Sequence, residues 1–154
     1  MLQNYFLHLL SFHNLLRWVV LVAALIAVVV AMSGWSGTKP AGATLRRYVL
    51  VFVIAMDVEF LIGLLLYFFA SPITHTAFSN MSAAMSQQEP RFFAVEHTLL
   101  MFLAVVCAHV GGALSRKGRT DRAKYRGAAI AFAISLLLML SGIPWWRPLL
   151  RLGA

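Results

Sequence analysis

Four long apolar runs separated by polar segments dominate this chain, and the pattern predicts four membrane-spanning helices. The runs cover about residues 7–34, 48–69, 92–114 and 127–144. A helix needs roughly 20 apolar residues to cross the hydrocarbon core of a bilayer, and each run has about that length. Successive spans must run in opposite directions. We therefore predict an all-α fold, an antiparallel four-helix transmembrane bundle that forms a single domain over residues 1–154.

The composition indicates that lipid surrounds most of the chain. Hydrophobic residues make up 61% of it and charged residues only 12%, whereas a soluble domain carries about 25% charged residues. The net charge is +8, but nine of the 13 Lys and Arg residues lie in two stretches between apolar runs, 39–47 and 116–126. Basic residues beside spans bind anionic lipid headgroups. We predict the lipid bilayer, and no nucleic acid, as the partner.

The two basic stretches also predict the orientation. They follow the first and third spans, so they lie on the same side of the membrane, and the positive-inside rule assigns that side to the cytoplasm. The opposite side carries fewer basic residues, namely Arg91, Arg147 and Arg151. Both termini and the segment 71–91 are therefore expected on the non-cytoplasmic side.

Ionisable side chains inside the spans are the candidates for chemistry. Each costs at least a few kcal/mol within the bilayer, so each requires a partner or a function. The fourth span carries none, which indicates a packing helix. The other three spans carry His13, Arg17, Asp57, Glu59, Glu96, His97 and His109.

Two of these histidines are predicted to lie at the same depth. With a helix rise of about 1.5 Å per residue, His13 lies roughly 9 Å and His97 about 8 Å below the same membrane surface. The first and third spans run in the same direction, so the two imidazoles are level. Two level histidines on different helices are the ligands that a b-type haem requires. The competing interpretation is that both are structural histidines, hydrogen-bonded to neighbours. His109 has no histidine at its level, and we predict a structural role for it.

The second span carries two acids at the depth of Arg17. Arg17 follows His13 by four residues and shares its helix face. Asp57 and Glu59 point about 200° apart, so only one of them is expected to pair with Arg17. That pair either fixes the register of the helices or belongs to a proton or quinone site. Gly63 lies one turn beyond Glu59 and could leave room for a flat ligand.

Two further residues near the start of the third span complete the candidate site. Glu96 precedes His97 but points about 100° away from it, where it could exchange protons. Arg91 lies at the predicted membrane surface. Its cation suits either a haem propionate or a lipid phosphate.

Three stretches of the chain resemble a family of small four-span bacterial membrane proteins often labelled cytochrome-b-like. The resemblance covers most of the chain and implies a multi-pass protein of the bacterial inner membrane, with His13 and His97 as haem ligands. Asp57 and Glu59 depart from the His or Gln expected in that group. The three stretches are His13-Asn14-Leu15-Leu16-Arg17-Trp18, Arg91-Phe92-Phe93-Ala94-Val95-Glu96-His97 and Gly142-Ile143-Pro144-Trp145.

These observations favour a membrane-bound b-type haem protein or electron-transfer subunit, with haem b near the periplasmic side between spans one and three. A quinone or quinol, or a larger respiratory or photosynthetic membrane complex, is the expected partner. Any enzymatic activity would be that of a quinol-linked oxidoreductase component. Two other interpretations stay open. One is a cofactor-free accessory subunit in a larger complex or an oligomer, and the other is a metal or proton transport element that uses Glu59, Glu96 and His97.

Overall fold

A computed structural model of the chain describes residues 2–148, with side chains described from residue 5 onward. Arg151, which contributes to the predicted orientation, lies outside the described residues. The helices are, in chain order, α1 (Leu2–Ser33), α2 (Ala43–Leu65), α3 (Pro72–Ser79), α4 (Met81–Met85), α5 (Gln88–Arg91), α6 (His97–Lys117) and α7 (Asp121–Gly142).

Within the described residues, four helical segments are long and apolar enough to cross a membrane. The predicted all-α four-helix bundle is confirmed, and the chain is a multi-pass membrane protein. All four segments begin before the apolar runs do, because the polar residues beside the runs continue the helices. The Thr120 hydroxyl, for example, accepts a hydrogen bond of 3.1 Å from the Ala123 amide and caps α7. The segments are Tyr5–Ser33, Ala43–Ala70, Gln88–Lys117 and Asp121–Gly142.

The four long helices form a square in which each packs against two neighbours. Helix α1 packs against α2 and α7, and α6 packs against the same two helices. Each neighbouring pair is antiparallel, so α1 and α6 run in the same direction across one diagonal. The other diagonal is filled by Phe52 and Phe132, whose fully buried rings meet edge to face with centroids 5.3 Å apart. The centre of the bundle is therefore an aromatic contact between α2 and α7.

Small residues let α6 and α7 approach closely. Ala104 and Ala108 are completely buried, and the Ser135 hydroxyl donates a 2.8 Å hydrogen bond to the Ala104 carbonyl oxygen. A Cβ atom at Gly111 would lie only 2.5 Å from the ring of Phe132. Close backbone approach at small residues is the usual way in which helices pack in lipid, where the hydrophobic effect does not drive association.

The segment between α2 and α6 folds into short helices instead of an extended polar loop. The Ser71 hydroxyl accepts a hydrogen bond from the Thr74 amide, and Pro72 occupies the first turn of α3. The Asn80 side chain caps α4 in the same way, at 3.0 Å from the Ala83 amide. We call this end of the bundle, with α3, α4 and α5, the cap end. The opposite end, with the stretches 39–47 and 116–126, is the basic end.

The contact of Gly111 with Phe132 gives a test of the bundle core. We expect Gly111→Ala to lower the free energy of unfolding by about 1–3 kcal/mol, because the buried ring has no space to retreat. Gly112→Ala is the matched control, since a Cβ atom there would meet its nearest neighbour at 3.5 Å, an ordinary contact. The measurement is denaturant unfolding in detergent micelles. Equal loss in the two variants would contradict this packing.

Candidate functional site

Three ionisable side chains from three helices converge at the cap end of the bundle. His13 comes from α1, Glu59 from α2 and His97 from the first residue of α6. The imidazole rings of His13 and His97 have centroids 6.4 Å apart and planes inclined by 82°. Helices α1 and α6 lie on a diagonal of the square, so this meeting takes place across the inside of the bundle.

His97 is held by the end of the fourth long helix. Its Nδ1 atom lies 2.7 Å from the carbonyl oxygen of Gly142. That carbonyl belongs to the last turn of α7, where helical carbonyls lack intrahelical donors, and Pro144 has no N–H group to offer. Because a carbonyl only accepts hydrogen bonds, Nδ1 carries the proton. The Nε2 atom of neutral His97 therefore has its lone pair available.

His13 is held beside a buried carboxylate. Its Nδ1 atom lies 3.2 Å from Oε1 of Glu59, and the two side chains are only 15% and 10% exposed. The ring is not aligned for a hydrogen bond with Oε1. His13 Nδ1 and Glu59 Oε2 are both buried atoms without a hydrogen-bond partner. Buried polar atoms of this kind call for an explanation, and a ligand that settles the orientation of the ring is one.

Arg17 lies one turn further along α1 and interacts electrostatically with Glu59. Its guanidinium also donates to the Asn14 side chain at 3.4 Å. Of the two acids on α2, Glu59 is thus the one on the Arg17 side, and His13 shares that carboxylate. The sequence predicts one acid for Arg17, but it does not reveal that His13 would lie 3.2 Å from the same carboxylate.

Gly63 lies directly beside the His13 ring. A Cβ atom there would lie 3.3 Å from Cε1 of His13. The His13 ring therefore occupies part of the space beside Gly63, and Gly63 also lines one of the cavities next to the histidines. That this space receives a flat ligand stays a prediction. A side chain at this position would push the imidazole away from its place beside Glu59.

Two π-helical turns shape the backbone around the site. One, Phe92–Glu96, leads directly into His97, and the other, Leu66–Ala70, ends α2. The Tyr67 hydroxyl of the second turn donates a 2.8 Å hydrogen bond to the Ala94 carbonyl of the first. Single π-helical turns are frequent at functional sites because they redirect side chains within a helix. The hydrogen bond ties the two widened turns together beside the histidines.

Two adjoining cavities, of about 120 and 250 Å³, lie beside the histidines. Arg147 lines both, although in the sequence it is only one of the few basic residues on the predicted non-cytoplasmic side. Its guanidinium pairs with the Glu89 carboxylate and lies 4.6 Å from the centre of the Phe93 ring. The residues that line both cavities are Leu10, His13, Arg17, Phe93, His97, Pro144 and Arg147.

The remaining candidate residues lie away from the cavities. Arg91 Nε is 2.7 Å from Oε1 of Glu96, and both side chains are about half exposed. The structure therefore pairs these two with each other and does not bring them to the histidines. Asp57 faces away from Glu59, and its Oδ2 atom is 3.5 Å from Nε2 of His109. The sequence offers no second histidine at the level of His109. In the structure the partner of His109 is Asp57.

The donor set at the site consists of two imidazole nitrogens. Each Nδ1 faces a protein oxygen, so the Nε2 atoms of His13 and His97 are the nitrogens available to a ligand. Among the described residues, no group of three or more His, Cys, Asp and Glu side chains is arranged to hold a metal ion. The arrangement can bind a group that brings its own further metal ligands.

The hydrogen bond between the two π-helical turns can be tested directly. We expect Tyr67→Phe to lower the free energy of unfolding by about 0.5–1.5 kcal/mol, because the Ala94 carbonyl loses its donor. Tyr5→Phe is the control, since Tyr5 is 67% exposed. Unfolding in mixed micelles, followed by tryptophan fluorescence, measures both. A Tyr67→Phe protein as stable as the control would contradict the role of this bond.

Comparison with protein-family models, with curated proteins and with solved structures gives no match for this chain. The resemblance to cytochrome-b-like four-span proteins therefore stays a hypothesis carried by three short stretches. All three contribute to the site described above. His13 and Arg17 come from the first, Phe93 and His97 from the second, and the Gly142 carbonyl from the third.

Proposed function

We propose that this chain is a membrane-bound b-type haem protein, with His13 and His97 as axial ligands, that transfers electrons at the cap end of the bundle. The observation that carries the proposal is the placement of two intramembrane imidazoles, 6.4 Å apart between ring centroids, with each Nδ1 facing a protein oxygen. A porphyrin supplies four nitrogens to its iron, so two imidazoles complete the coordination.

The separation of the two rings agrees with ligation of one metal ion. Centroids of two imidazoles on opposite sides of an ion would be about 6.4 Å apart, for metal–nitrogen bonds of about 2.1 Å and about 1.1 Å from each nitrogen to its ring centre. The rings of His13 and His97 are 6.4 Å apart. The spacing of the two rings therefore matches the spacing of two imidazoles bound to one ion.

Each histidine has a protein oxygen beside its Nδ1 atom, the nitrogen that would point away from a metal bound at Nε2. Such a histidine almost always donates its other N–H group to a carboxylate or a backbone carbonyl, which fixes the ring and makes it a stronger ligand. Glu59 Oε1 is 3.2 Å from Nδ1 of His13, and the Gly142 oxygen is 2.7 Å from Nδ1 of His97. A metal bound at Nε2 would fix the proton of His13 on Nδ1, beside Glu59, which gives these two buried groups a reason to lie together.

The protein would supply ligation, orientation and burial, while the haem supplies one-electron chemistry. Arg17 and Arg147 line the cavities and are suitable cations for haem propionates. In this proposal they replace Arg91, which lines neither of the two cavities. Glu59 would place a negative charge beside one ligand, and that charge would favour the oxidised state of a bound haem iron. Aliphatic and aromatic residues such as Leu10 and Phe93 keep water away from the ligands.

The location of the site in the membrane is also part of the proposal. The basic end carries nine Lys and Arg residues, so the positive-inside rule assigns it to the cytoplasm. The cap end and the haem would then face the periplasm of a bacterial inner membrane, with both termini outward. A quinol within the bilayer, or a redox subunit of a larger membrane complex, would reach the haem there.

Loss of either ligand gives the first test. We expect the protein purified from cells supplied with haem to show a Soret band that shifts and sharpens on reduction. His13→Ala and His97→Ala should each lower haem affinity by at least about 10-fold, since losing a second-shell partner alone costs about 10–100-fold. His109→Ala is the matched control, because it removes an intramembrane histidine outside the site. A colourless wild-type protein would overturn the proposal.

Glu59 gives the second test. We expect Glu59→Gln to raise the reduction potential by about 60 mV, equivalent to about 1.4 kcal/mol for one electron, because the lost charge no longer favours the oxidised iron. Asp57→Asn makes the same kind of change on the opposite side of α2, away from the site, and should leave the potential within about 10 mV of the wild type. Redox titration of the visible spectrum measures both. An unchanged or lower potential in Glu59→Gln would contradict the role of this carboxylate.

A further inference from the structure

A second pair of ionisable side chains lies on the outer face of the bundle, between α2 and α6. Nε2 of His109 is 3.5 Å from Oδ2 of Asp57, and the two side chains are 52% and 40% exposed. Asp57 lies near the middle of the span Ala43–Ala70, with 14 residues before it and 13 after it. In a bilayer this pair would face hydrocarbon, which offers no hydrogen bonds to it.

The protons of this pair can be assigned. Nδ1 of His109 lies 3.0 Å from the Val105 carbonyl oxygen, which only accepts hydrogen bonds, so Nδ1 carries a proton. Nε2 and the Asp57 carboxylate then share one further proton, either as an ion pair or as two neutral groups. In both states a carboxyl group keeps acceptor sites that a single imidazole does not use. A half-exposed polar pair inside a membrane requires another protein surface to cover it and separate it from the lipid.

We propose that the cover is a second copy of this chain, and that the face around Asp57 and His109 is the interface of a homodimer. Two copies inserted the same way are related by a two-fold axis along the membrane normal, so each group meets the other copy at its own depth. Such an axis places α2 of one copy opposite α6 of the other. Asp57 of each copy then faces His109 of the second copy. The pair is self-complementary, and each acid gains a second imidazole.

The residues around the pair fit this interface. Ile54 and Leu61 lie one turn before and one turn after Asp57 on α2, and Phe102 and Val106 precede His109 on α6. All four are between 41% and 59% exposed. Apolar side chains above and below a polar centre would exclude lipid from it once two copies meet. This inference is independent of the proposed haem site, which Glu59 lines from the other side of α2.

The test exchanges one residue at a time so that complementarity can be lost and restored. Asp57→His gives a chain with two imidazoles on this face, and His109→Asp gives a chain with two acids. Each variant alone would bring like groups together across the axis. A mixture of the two would again place an acid opposite an imidazole at both positions. A folding defect could not be rescued in this way, so recovery on mixing reports the contact itself.

Association is measured in liposomes by energy transfer between copies that carry donor and acceptor fluorescent proteins at the C terminus. We expect the wild type to associate, each single variant to associate at least roughly 10-fold more weakly, and the mixture to recover. The double variant Asp57→Leu with His109→Leu, which suits lipid, should be monomeric with unchanged helical circular dichroism. Its haem absorption is expected to stay, which separates this test from that of the haem site.

Two results would overturn the inference. The first is a wild-type protein that stays monomeric in liposomes at every protein-to-lipid ratio, which would leave this face to lipid or to a different protein. The second is a mixture that associates no better than either single variant, which would show that Asp57 and His109 of different copies do not meet.

Discussion

Inside a bilayer a polar side chain can be satisfied only by other protein groups, because no water reaches the hydrocarbon core. The site at the cap end follows from this constraint. The last turn of α7 leaves the Gly142 carbonyl without an intrahelical donor, and His97 supplies one at 2.7 Å. Glu59 is on α2, diagonally across the bundle from α7. Its carboxylate needs a cation or a hydrogen-bond donor, and both His13 and Arg17 interact with it. Each polar group holds another in place.

The square cross-section of the bundle lets His13 and His97 meet across its inside. Because α1 and α6 run in the same direction along a diagonal, residues near their beginnings meet at one level inside the bundle. Deeper in, Phe52 and Phe132 fill the other diagonal, and small residues such as Gly111 leave space for them. The polar end is thus supported by a tightly packed apolar centre. Gly63 does the same for His13 at the site itself.

Helix geometry explains which parts of this structure could be predicted from the sequence. A fixed rise per residue places His13 and His97 at one depth, and a fixed rotation separates Asp57 from Glu59. The rotation of a whole helix against its neighbours depends on packing, so neither the pairing of His13 with Glu59 nor that of His109 with Asp57 could be read from the pattern. The π-helical turn Phe92–Glu96 also lacks a clear sequence signature.

Electron paramagnetic resonance of the oxidised protein tests most directly whether His13 and His97 ligate one haem from opposite corners of the bundle. The shape of the signal depends on the angle between the two imidazole planes. Nearly perpendicular axial planes give ferric low-spin haem a highly anisotropic electron paramagnetic resonance signal, whereas parallel planes give a rhombic one. With planes inclined by 82°, the oxidised protein is expected to give the highly anisotropic signal. A rhombic signal, or a high-spin signal from iron with one protein ligand, would contradict the claim.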